Sequence, residues 1–118
     1  MTISKIGVLI LGSRDLARSV AFYRDKLELP LKQESPGFAF LDAGSVTLAL
    51  SEPLAKASTN LVGATEVVFP VAGVKEAHLA LQARGVEFFK EPRVVAGSMW
   101  AASFRDPDGH VLSLFGAE

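Results

Sequence analysis

The sequence predicts an α+β fold, two βαβββ units within one domain. Three observations carry that prediction. A strand–helix–strand–strand–strand order occurs twice, amphipathic stripes fall at matching places in both halves, and turn signals separate the later strands. The first unit opens with a short apolar run, Lys5 to Leu11, rich in branched side chains and readable as a buried strand. Ser13 and Asp15 then offer capping oxygens, and Leu16, Val20, Tyr23 and Leu27 form one stripe of a helix. Three strands follow: around Leu31, from Phe38 to Asp42, and from Val46 to Leu50. Pro36-Gly37 and Ala43-Gly44-Ser45 mark the turns between them.

The second unit repeats the order. Glu66 to Val71 reads as a strand, and Val74, His78 and Leu81 as a helix stripe that Gly85 ends. Val86 to Phe89, Met99 to Arg105 and His110 to Phe115 supply three more strands. A shift of 58 lays Val74, His78 and Leu81 on Leu16, Val20 and Tyr23. A shift of 64 lays Phe104 and Asp106 on Phe40 and Asp42, and Leu112 and Leu114 on Leu48 and Leu50. Ser51 to Gly63, with its Pro, Ser, Thr and Asn, reads as a linker. Units of some fifty residues are marginal alone, so residues 1–118 are expected to form one domain, with repeats at about 1–58 and 59–118.

Composition excludes several function classes. The chain has 118 residues, a formal charge of -1 and no cysteine, which removes disulfides, thiolate metal sites and cysteine nucleophiles. Seven basic and six acidic residues precede Thr59, and five and seven follow Ser58. Neither half is a basic patch, so no nucleic-acid partner is expected. No apolar run approaches the roughly 18 residues of a membrane span, and the N-terminus lacks signal-peptide features. A cytoplasmic protein with no membrane partner is the expectation.

Asp15-Leu16-Ala17-Arg18-Ser19-Val20-Ala21-Phe22-Tyr23, Ala83-Arg84-Gly85-Val86-Glu87-Phe88 and Phe104-Arg105-Asp106-Pro107-Asp108-Gly109-His110 together resemble motifs of the vicinal oxygen chelate superfamily. That superfamily includes glyoxalase I, extradiol dioxygenases, fosfomycin resistance enzymes and bleomycin-binding proteins. The resemblance covers nearly the whole chain. It implies that the repeats build a cup-shaped mixed sheet with helices on the outer face, and that the chain pairs as a homodimer with pockets between dimer-related modules. Active members hold a divalent metal in the cup through His, Gln or Glu side chains. Carried onto this chain, those positions fall on Gly7 or Val8, on Ala49, on Glu66 and on Ser113. Catalytic metal sites need about three N or O donors, so no metal and no cofactor is expected here.

Individual residues divide between structural and functional readings. Asp106-Pro107-Asp108-Gly109 is explained by turn chemistry, and His78 by its place on the helix stripe. Glu66 opens an apolar strand; it lies either at the wet end of that strand or in the pocket, where it would be the acid–base group of any enzyme. Trp100 stands among small residues, which suits a stacked planar ligand as well as a core or dimer-interface role. The resemblance makes Ser113 a pocket position, and strand alternation puts Gly7, Thr47, Ala49 and Val68 on the same cup face, with Glu66 as its one possible carboxylate. With no obvious basic residue near, that lining suits a neutral or cationic aromatic molecule. Three functions therefore stand: a metal-free binder of a small hydrophobic or aromatic molecule, a lyase or dioxygenase dependent on a metal or on Glu66, and a structural or regulatory dimer with a vestigial pocket.

Overall fold

Branched Val8 and Ile10 favour extended backbone, and β1 runs from Val8 to Gly12. The computed structural model describes residues 5–57 and 65–118, which fall into two compact units divided after Asn60. In the first unit, α1 (Leu16–Val20) continues into a π turn (Ala21–Lys26). Strands β2 (Leu31–Ser35), β3 (Phe38–Asp42) and β4 (Thr47–Ser51) follow, then α2 (Glu52–Ala57). The sheet order is β1-β4-β3-β2, with β1 parallel to β4 and the other pairs antiparallel. Leu41, Leu48, Leu50 and Ala39 share the face that α1 covers, and all are buried. Burial of each leucine contributes about 1.5–3 kcal/mol.

The second unit has the same plan. It comprises β5 (Glu66–Gly73), α3 (Val74–Ala83), β6 (Phe88–Ala96), β7 (Met99–Arg105) and β8 (Val111–Ala117). Its order is β5-β8-β7-β6, with β5 parallel to β8. Ala102, Phe104, Leu112 and Leu114 lie buried on the face toward α3. His78 belongs to that core: its ring meets Phe88 edge-on at 4.5 Å, and Nε2 lies 3.2 Å from Glu91 Oε2. Asp106 closes a turn as its sequence implied, its Oδ1 accepting from the Asp108 and His110 amides at 2.9 Å, with Gly109 at φ 93. Two four-stranded mixed sheets, each with a helix on one face, are thus the α+β arrangement the repeats predicted.

Several details depart from the sequence reading. The first strand starts at Val8 rather than Lys5. The helix buries Ser19 and Phe22 beside Val20 and Tyr23, because the π turn inserts a residue and rotates the face; Leu27 N–H donates to Phe22 O. The expected linker contains α2, while residues 58–63 of it lie outside the described residues. The identity of Phe40 with Phe104 is not structural. Phe40 pairs with Ala49, whereas Ser103 is the residue that pairs with Ser113. Four residues separate β3 from β4 and five separate β7 from β8, so the structural offset is 63 for one strand and 64 for the next. Among the described residues, no helix is long and apolar enough to cross a membrane.

Candidate functional site

The face of the second sheet opposite α3 follows from register. Cross-strand partners share a face, so Arg105, Val111 and Glu66 form one row. Lys90, Ser103, Ser113 and Val68 form the next, then Arg93, Ala101, Phe115 and Pro70. At the centre Ser113 donates to a Glu66 carboxylate oxygen, and the two hydroxyls of Ser103 and Ser113 lie 2.7 Å apart. Since the single Ser113 proton is committed to Glu66, Ser103 must be the donor in the second bond. Both serines are buried, while Glu66 is exposed at the start of β5. Glu66 thus sits at the wet end of its strand, and its carboxylate accepts from Ser113.

Around this hydroxyl chain the face is part apolar, part cationic. Val68 is 49% exposed and Phe115 36%. The Arg105 guanidinium lies 4.4 Å from the Phe89 ring centroid and donates to Gly109 O at 3.1 Å. Arg93 donates to Ala101 O at 3.3 Å. The sequence reading expected no basic residue here; β6 supplies two, Lys90 and Arg93, at positions it had left unassigned beyond Phe89.

The corresponding face of the first sheet carries Val8, Ile10, Thr47, Ala49, Phe38 and Phe40. Phe38 and Phe40 stack with centroids 6.4 Å apart and planes at 12°. Both face away from α1, and Ala49 between β1 and β3 is buried. Thr47 accepts from Lys32 Nζ at 2.6 Å. The phenylalanines escaped the sequence reading, though their i, i+2 spacing beside small Ala49 was a usable signal.

Trp100 is not on the open face. It pairs with Gly116, three residues from Ser103 along β7, and so shares the α3 side with Ala102 and Phe104. There Lys75 of α3 covers its ring, 4.6 Å from the centroid. Of the residues singled out, the structure brings Glu66, Val68 and Ser113 together on one sheet and Thr47 and Ala49 on the other.

The positions that the resemblance assigns to metal ligands can be tested on this geometry. Val8 pairs with Thr47 as Glu66 pairs with Val111, so Val8 and not Gly7 is the counterpart of Glu66. Valine and alanine offer no lone pair, and Ser113 is already bound to Glu66. The set does not fit a chelated divalent cation. Among the described residues, no three His, Asp or Glu side chains converge elsewhere.

Comparison with known proteins bears on the fold and the family. No curated protein matches the chain in sequence. Among solved structures it is similar to a glyoxalase/bleomycin resistance protein/dioxygenase from Nocardioides, with 27% identity, TM-score 0.83, and 99% of this chain and 85% of that one covered. Two others share the fold at 22% identity. One is a lactoylglutathione lyase from Agrobacterium tumefaciens, TM-score 0.82, covering 98% of this chain and 96% of that one. The other is an antibiotic-binding protein from a Streptomyces species, TM-score 0.83, covering 100% and 99%. A family model matches residues 5–114, and with it the chain belongs to the Glyoxalase/Bleomycin resistance protein/Dioxygenase superfamily.

Proposed function

We infer that this protein binds a small hydrophobic or aromatic molecule without a metal, on the sheet faces turned away from α1 and α3, and works as a homodimer. One observation carries the reading: Val8, Ala49 and Ser113 stand where the resemblance puts chelating side chains, while the same faces keep apolar groups exposed. Val8 is 49% exposed and Ile10 50% on the first sheet, and Val68 and Phe115 are exposed on the second. Apolar surface with a few polar groups suits ligand capture. Glu66, Val68 and Ser113 are the proposed contacts on one face, Thr47 and Ala49 with the Phe38–Phe40 pair on the other. Trp100 supports the sheet from behind. A fold neighbour that binds an antibiotic is in keeping with such a role. A second copy of the chain is the proposed cover for exposed β1, an edge strand.

The test is elemental analysis of protein purified without chelator, sedimentation, and amide-shift titration with biphenyl-4-methanol. The expected result is no stoichiometric metal, a species of twice 12.6 kDa, and shifts in β4, β5 or β8. One equivalent of metal whose removal shifts the Glu66 and Ser113 amides would overturn the metal-free reading. A monomer at micromolar concentration would overturn the dimer. An unmoved spectrum would overturn the binding role.

A further inference from the structure

We propose that the ligand carries an acid group, a carboxylate or phosphate, and that Lys90, Arg93 and Arg105 receive it on the open face of the second sheet. This rests on the binding reading above and adds the chemical class and orientation of what is bound.

Register places three cations on that face against one carboxylate, Glu66. Among the described residues none of the three pairs with a carboxylate, whereas Arg24 pairs with Asp25, Lys75 with Glu118 and His78 with Glu91. What holds the cations is neutral. Arg93 donates to a backbone carbonyl of β7, and Arg105 to the Gly109 carbonyl while lying over the Phe89 ring. Lys90 Nζ lies 6.0 Å from the same ring. Carbonyls and a ring face fix the direction of these groups without cancelling their charge. Arg93 and Arg105 each give one hydrogen bond to a carbonyl, and a guanidinium has five N–H donors suited to a forked carboxylate or phosphate contact.

Orientation follows from the opposite margin. The hydroxyl protons of the buried Ser103 and Ser113 run toward Glu66, so that chain has no donor left to offer an anion. Glu66 repels an anion from the β5 side, and Val68, Pro70 and Phe115 accept an apolar body there. The acid end therefore lies over β6 and β7 and the apolar end over β8 and β5. Three strand spacings make that span about 14 Å, the length of an elongated aromatic acid. The competing account is edge protection, because β6 is an edge strand and cations discourage sheet-to-sheet pairing. Edge protection predicts no preference among ligands.

The experiment compares biphenyl-4-carboxylate, biphenyl-4-yl phosphate and biphenyl-4-methanol on the full chain, by calorimetry and amide shifts, with inorganic phosphate as a fourth probe. The expected result is that at least one acid binds about ten-fold tighter than the alcohol, with shifts across Phe89–Arg93 and Ala101–Arg105. The two acids distinguish carboxylate from phosphate recognition. Lys90→Gln with Arg93→Gln removes the preference, Arg93→Lys retains part of it, and Glu66→Gln tightens the acids. Equal affinity for acids and alcohol, or acid binding unmoved by the double variant, overturns the inference and leaves the binding role standing. If no biphenyl compound binds but inorganic phosphate shifts β6 and β7, the cation site stands and the aromatic reading falls. Silence toward all four probes overturns both.

Discussion

A serine hydroxyl has one proton to give, and at Ser113 that proton goes to Glu66. Removing the hydroxyl leaves Ser103 buried with its donor unanswered, so Ser113→Ala is expected to cost about 1–2 kcal/mol in urea unfolding. The double variant with Ser103→Ala should cost less than the sum of the singles, because it removes both ends of one bond. A second residue is constrained by space alone. A Cβ on Gly116 would sit 2.0 Å from the Val71 carbonyl oxygen, where the β5–β8 register shifts. Gly116→Ala should therefore destabilise on the order of 3 kcal/mol, with Gly7→Ala, which meets nothing within 4 Å, within about 0.5 kcal/mol of the parent. The place of Ser113 was readable from alternation between Leu112 and Leu114, which are core on any register. Trp100 was not, since which parity of β7 faces Ser113 depends on the turn at Asp106, and that turn's length is a property of hydrogen bonds rather than of hydrophobic pattern. Lys90 and Arg93 were hidden for a related reason: β6 shifts register three times against β7, and its bulges break the alternation a strand is recognised by.

Elements show the same division. Helix α1 is short, five residues before the π turn, and depends on its start. Asp15 accepts from the Arg18 amide at 3.2 Å, and Glu52 at the head of α2 accepts from the Leu16 amide at 3.2 Å. Two of the orphan N–H donors at the N-terminus of α1 are thereby met from two directions, one local and one across the unit. Asp15→Ala should cost about 1 kcal/mol, measured as a shift in the urea midpoint without a change in slope. Asp15 was visible as a cap because capping is a local rule. Glu52 was not, since its partner is 36 residues away and the segment around it read as a linker. Helix α2 itself exists through such contacts: Ser51 Oγ accepts from the Leu54 amide, and Ala55 lies 3.1 Å from where a Gly12 Cβ would stand. Six residues carry too little periodicity to announce themselves.

For the whole molecule, the duplicated frame allows a direct test of the chelate reading. If the family positions carry over as the resemblance implies, supplying donors with Val8→His, Ala49→Glu and Ser113→Glu, together with native Glu66, creates nickel or zinc affinity measurable by calorimetry. The same triple with Gly7→His in place of Val8→His should bind at least about ten-fold more weakly, since Gly7 precedes the strand and Val8 holds the equivalent of Glu66. Unchanged metal affinity in both would count against carrying the family positions onto this chain. The repeat was legible because both halves keep the same leucines on the core side of their last strand. Its apparent Phe-to-Phe identity misled because the two hairpin turns differ by one residue. That single residue has a larger meaning. A strand displayed one step out of phase exchanges its two faces wholesale, much as a frameshift rewrites every codon downstream. Between duplicated halves, one inserted residue in a turn would have done what several separate substitutions otherwise must, turning an aromatic surface at Phe38 and Phe40 into a small, hydroxylated one at Ala101 and Ser103.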